Sequence, residues 1–195
     1  MSDVEDPLRE FLDVMRRLRR ECDWKAGQTH RSLVRYLLEE THETVEAIES
    51  GDADHLREEL GDLLLQVVFH AVIAEEAGEF TLDDVAGDIT SKMRRRNPHV
   101  FGDVAVSGAQ AVNELWESVK AAEKSRTTVT EGLPASLPAL LYADKVLDRR
   151  SRAGLADPTV SDDLGDRLLA LVAEAHTAGV DPEQSLREAV RRLGD

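Results

Sequence analysis

Apolar residues recur every three to four positions through most of this 195-residue chain. That spacing is the signature of helices with one face turned to a core. Leu8, Phe11, Leu12, Met15 and Leu18 predict a first helix from about Pro7 to Cys22. A short connection, 23–29, follows. A second helix is expected from about Ser32 to Ser50, ended by Gly51, and a third from about Ala53 to Ala77, stopped by Gly78. Thr81 can cap a fourth helix with Asp84 three residues on, and Pro98 ends it. A fifth spans roughly Gly108 to Lys124. The Gly- and Pro-bearing stretch to Pro138 reads as a linker. Three further helical patterns follow: Leu137 to Arg150, about Ser161 to Ala178 closed by Gly179, and a last one opened by Asp181-Pro182. No alternating strand pattern is present. The expectation is an all-α fold, with a helical bundle of four to five helices in residues 1–125, a linker at 126–138 and a short helical tail at 139–195.

Two of these helices carry more than a core pattern. In the third, Leu60, Leu63, Leu64, Leu65, Val67, Val68, Phe69, Val72 and Ile73 surround nearly the whole circumference. A helix apolar all round is expected to be buried. Its one polar stripe is Glu59, Asp62, Gln66 and His70. Charges on a buried helix need partners or a metal ion. In the second helix, Leu33, Leu37, Thr41, Thr44 and Ile48 form the apolar arc. Glu40 falls at its edge and Glu43 follows, while Glu46 and Glu49 fall on the far, solvated side. Residues three apart share a helix face, so Glu40 with Glu43 and Glu59 with Asp62 each offer a pair of oxygen ligands. Two such helices side by side converge four carboxylates, and like charges repel unless a cation sits between them. Most acidic clusters are solvated faces; their place beside an apolar arc sets these apart. A hard divalent cation suits the oxygen set. Gln66 and His70 read as hydrogen-bonded residues behind the ligands. A di-iron site needs two Glu-x-x-His pairs. Glu39 with His42 supplies one, but the third helix offers Glu-x-x-Asp instead.

Composition narrows the function classes. Aromatic residues make up 4% and apolar residues 42%, and the formal charge is −15. That field opposes nucleic-acid binding, with a local exception at Lys92 and Arg94-Arg95-Arg96. No apolar run nears the roughly 20 residues of a membrane span. The single Cys22, with no apolar leader at the N-terminus, fits a cytoplasmic protein. A weak internal repeat matches Glu59-Leu60-Gly61-Asp62-Leu63-Leu64 with Asp163-Leu164-Gly165-Asp166-Arg167-Leu168. The second copy lacks a counterpart of the Glu39–Glu43 cluster, so it reads as a shortened, degenerate duplicate.

These residues resemble the MazG family of all-α nucleoside triphosphate pyrophosphohydrolases, whose signature Glu-Glu-x-x-Glu … Glu-x-x-Asp stands here as Glu39, Glu40, Glu43, Glu59 and Asp62. The flanking text agrees: Gln28-Thr29-His30 to Leu38, Lys92 with Arg95-Arg96, Pro98-His99-Val100-Phe101, Trp116-Glu117 with Lys120, and Leu137-Pro138-Ala139-Leu140. The likeness covers most of residues 8–150. One departure is Cys22-Asp23-Trp24-Lys25, where the family usually has Cys-Pro-Trp-Asp.

The resemblance implies hydrolysis of nucleoside triphosphates to monophosphate and pyrophosphate, as housekeeping of the nucleotide pool. Glu40, Glu43, Glu59 and Asp62 would hold one or more Mg²⁺ ions, with Mn²⁺ as substitute, and Glu39 or a spare carboxylate would orient or deprotonate water. Lys92, Arg95 and Arg96 would meet phosphates if the fourth helix folds back over the site. Otherwise that basic run simply favours a helix C-terminus. Trp24 and Trp116 are candidates for stacking on a base or for buried packing. Lys120 would reach phosphate or pair with a nearby carboxylate. A homodimer is expected, with no nucleic-acid or membrane partner. The rival readings are a helical interaction protein with a fossil metal site, and a hydrolase of another small phosphate compound.

Overall fold

The computed structural model describes residues 6–123, 127–156 and 161–194. Among these the chain is helical throughout: α1 Pro7–Glu21, α2 Asp23–Ala26, α3 His30–Ser50, α4 Ala53–Glu76, α5 Leu82–Arg96, α6 Pro98–Phe101, α7 Ala109–Ala122, α8 Ala139–Arg152, α9 Leu164–Thr177 and α10 Pro182–Arg191. The end of the expected fifth helix and the start of the linker, 124–126, lie outside the described residues. No described helix is long and apolar enough to cross a membrane.

Local chemistry explains the boundaries. The Thr29 hydroxyl accepts from the Ser32 amide and the Ser32 hydroxyl from the Thr29 amide, a reciprocal cap that starts α3 two residues earlier than its apolar pattern. Gly51 ends it at φ 73°, a left-handed conformation that costs glycine least. Thr81 and Asp84 close the same box on α5. Asp181 caps α10 through the Gln184 amide. Two short turns depart from expectation. α2 forms within the anticipated connection, and α6 forms directly after the break at Asn97.

The chain divides into two compact units, Met1–Trp116 and Glu117–Asp195, with the division inside α7. In the first, α3 and α4 pair most extensively, and α1 and α5 each pack on α4. Leu12, Met15, Leu33, Val68, Phe69 and Val72 form its buried core, each side chain worth roughly 1.5–3 kcal/mol of burial. Arg16 clamps α1 to Glu75 of α4 with two hydrogen bonds of 3.1 and 2.8 Å. Arg19 pairs with Glu76 and also donates to the carbonyls of Ala26 and Gln28 at 3.1 and 3.0 Å, fixing the approach to α3.

The expectation that α4 is buried all round is corrected. Leu60, Leu64 and Val67 stand 51%, 37% and 44% exposed, and Val34, Leu37 and Leu38 of α3 are exposed as well. One flank of the helix pair is left open by the described residues of its own unit. In the second unit α8, α9 and α10 pack on one another. Leu147 and Val172 are buried, and His176 meets Asp144 at 2.8 Å.

Candidate active site

The central turns of α3 and α4 bring the acidic residues together. Oxygen atoms of Glu40, Glu43 and Glu59 all lie within 4.8 Å of one another. Glu59 is buried, Glu40 half-buried and Glu43 exposed, so the cluster opens from the interior towards solvent. Asp62, half-buried one turn beyond Glu59, acts electrostatically on the same group. Partial burial, then the charges of Asp62 and Glu43, hold the Glu40 carboxyl above the ordinary carboxylate range. Glu39 is exposed on the outer side of α3.

The donor set fits a hard divalent cation. Three carboxylates converge, Asp62 adds a fourth negative charge nearby, and the buried Glu59 Oε2 has no hydrogen-bond partner. Its other oxygen, Oε1, lies 3.2 Å from His55 Nε2, one helical turn earlier. Sequence reasoning overlooked His55, although its i,i+4 spacing to Glu59 was a usable signal.

The remaining candidates separate. Trp24 is 52% exposed and stands edge-on to Tyr36 at 6.1 Å, with Lys25 Nζ 5.5 Å from its ring. Tyr36 precedes Glu40 by one turn of α3, so the aromatic pair borders the carboxylates. Lys92 is half-buried and Arg95 exposed on α5. Arg96 is 7% exposed and places its guanidinium 5.4 Å from the Trp116 ring, which occupies one face of that indole. Lys120, in the second unit, is bound to Glu117 at 2.8 and 3.1 Å. Gln66 is buried with Oε1 unpartnered. His70 meets His30 through their Nδ1 atoms at 2.7 Å, their rings stacked at 5.0 Å. Burial and then the neighbouring His30 lower the His70 pKa. Glu46 is solvated as expected, whereas Glu49 is half-buried.

Residues 28–101 match the MazG nucleotide pyrophosphohydrolase domain, a segment that contains all five acidic positions. The nucleoside triphosphate pyrophosphohydrolase/pyrophosphatase MazG of Thermotoga maritima is 37% identical over 94% of this chain and 81% of its own length. The chain belongs to the MazG family. A nucleoside triphosphate pyrophosphohydrolase of Mycobacterium tuberculosis is 44% identical over 93% of the chain, which spans about half (54%) of that MazG relative. The crystal structure of a mazG-related protein from Thermotoga maritima matches with a TM-score of 0.50 at 25% identity, covering 57% of this chain and 97% of that one.

Proposed function

We propose that this chain is a Mg²⁺-dependent enzyme that hydrolyses nucleoside triphosphates to the monophosphate and pyrophosphate. The observation that carries the reading is the convergence of Glu40, Glu43 and Glu59, with Asp62 beside them, within a MazG domain. Those four side chains are the metal ligands. The cation they hold supplies charge neutralisation on the triphosphate oxygens. Glu39 lies one turn before Glu43 on the outer face and is the carboxylate left to accept a proton from the attacking water. Trp24, exposed and braced by Tyr36 one turn from the carboxylates, offers a stacking surface for the base. Lys92 and Arg95 on α5, which packs against α4, are the phosphate contacts. Arg96 and Trp116 act together as a packed pair that braces this segment.

The uncovered flank of α3 and α4 supports a homodimer in which two copies bury Leu60, Leu64 and Val67 against each other. The single free Cys22 suits the cytoplasm. The second unit, with its Asp163–Leu168 echo of Glu59–Leu64, reads as a shortened duplicate without its own acidic pair on a second helix.

The test is release of pyrophosphate and monophosphate from a panel of NTPs and dNTPs, in Mg²⁺ and in EDTA, for the wild type and Glu59→Ala. Metal-dependent release, abolished in a still-folded Glu59→Ala protein, is expected. Release of inorganic phosphate alone, or of nothing, would overturn the reading.

A further inference from the structure

The second unit contains a cavity of about 470 Å³ that the proposed reaction does not use. Its walls are the C-terminal turn of α7, the segment 127–129 and the second half of α8. The lining holds four cationic side chains, Lys120, Lys145, Arg149 and Arg152, against two anionic ones, Glu117 and Asp148. That excess of positive charge stands out in a chain of formal charge −15, where acidic partners are abundant. Two of the cations also contact a carboxylate, though Arg152 uses only its Nε and keeps both Nη groups for a ligand. Lys120 binds Glu117, and Arg152 binds Asp148 at 2.8 Å. Lys145 has no ion-pair partner among the described residues and extends from α8 into solvent.

The walls are also braced. Arg149 Nη1 donates to the carbonyls of Val129 and Glu131, each at 2.8 Å, which ties the loop to α8. Within the loop the Glu131 carboxylate accepts from the Thr127 hydroxyl at 3.0 Å and from the Thr127 amide. The concave surface is therefore held open by hydrogen bonds before any ligand arrives, which lowers the ordering cost of binding. Val129 and Leu155 add an apolar portion beside the charges.

Size and chemistry together select the ligand class. The volume lies in the range of about 300–1,000 Å³ usual for small-molecule sites. It exceeds what a lone phosphate ion fills and suits an anionic head with an apolar body. We propose that this cavity binds a nucleotide-sized phosphorylated compound through Lys145 and Arg152, independently of the carboxylate cluster on α3 and α4. Such a compound is either a nucleotide or a non-nucleotide phosphate ester.

The experiment is calorimetric titration of the full chain in EDTA with AMP, ATP, glucose 6-phosphate and inorganic pyrophosphate. EDTA removes the metal on which phosphate binding at the carboxylates depends, and Glu59→Gln serves as a second control for that site. The expected result is saturable binding of at least one organic phosphate that persists in Glu59→Gln. It weakens about tenfold or more in Lys145→Ala and further in Lys145→Ala with Arg152→Ala, as loss of a charge-assisted contact requires. Preference for AMP or ATP over glucose 6-phosphate identifies a nucleotide as the source, and equal binding identifies the phosphate ester as the common element. Lys145 is exposed, so its single substitution leaves the fold intact and keeps the test decisive if the double variant unfolds. No binding, binding of pyrophosphate alone, binding indifferent to Lys145, or binding lost in Glu59→Gln would each overturn the assignment.

Discussion

At the scale of single residues, the carboxylates of α3 and α4 oppose stability as well as supplying ligands. Burial and the charges of Asp62, Glu43 and Glu59 both penalise the ionised form of Glu40 and hold its pKa above the ordinary carboxylate range. Glu40→Gln is therefore expected to raise the metal-free thermal midpoint. It should also abolish the additional rise that Mg²⁺ gives the wild type. Differential scanning calorimetry in EDTA and in Mg²⁺ reads both, and an unaltered Mg²⁺ response would remove Glu40 from the ligand set. Asp84 illustrates the opposite sign. Hydrogen bonds from the Thr81 hydroxyl and then the Thr81 amide hold its pKa below the ordinary 3.8. A lowered folded-state pKa stabilises above the unfolded value and loses that contribution as pH falls through the folded one. Below about pH 3.8 the first turn of α5 should fray, and Asp84→Asn should lack that acid-dependent component when unfolding free energies are compared from pH 5 downwards. The convergence of Glu40, Glu43 and Glu59 was legible because i,i+3 spacing fixes a common helix face, whereas Glu39 falls on the outer side of α3. His55 and Tyr36 were passed over because a lone His or Tyr on a helix announces nothing until its neighbour across space is known.

At the scale of elements, periodicity located the long helices and cap chemistry trimmed them. Thr29 and Ser32 pull the start of α3 back to His30, ahead of its first core residue Leu33. α2 and α6 span a single turn each, too short for a 3.6-residue period to register. The core that holds α1 against α3 and α4 rests on few large side chains, with Leu12 and Met15 2% and 1% exposed. Leu12→Ala removes three carbon atoms of packing at most partly refilled by Phe11 and Leu18, and should cost about 2–5 kcal/mol in chemical denaturation. A smaller loss would mean that α1 contributes little to holding the helix pair together. The circumference of α4 was misjudged for a physical reason. A helical wheel counts apolar positions, and it cannot distinguish a residue covered by its own chain from one awaiting a second chain.

At the scale of the whole molecule, that ambiguity points to association. Leu60, Leu64 and Val67 fall at i, i+4 and i+7 of α4, and exposed Val34, Leu37 and Leu38 adjoin them on the paired α3. The internal repeat carries the same feature. Leu164, Leu168 and Leu171 of α9, 65%, 49% and 62% exposed, occupy the positions corresponding to Leu60, Leu64 and Val67. One register thus leaves a matching apolar stripe uncovered in both units. A symmetric partner makes use of such a stripe, because a two-fold axis presents each stripe with its own copy. Leu64→Glu with Val67→Glu places two charges at the centre of the α4 stripe, on side chains 37% and 44% exposed. The double variant should therefore keep its helical content by circular dichroism while its mass by light scattering falls from that of a dimer to that of a 21.6 kDa monomer. The same pair of substitutions at Leu168 and Leu171 separates the contributions of the two units. If the α4 variant remains dimeric and the α9 variant does not, assembly belongs to the second unit. A wild type that is itself monomeric at micromolar concentration would leave the α4 stripe without the role assigned to it.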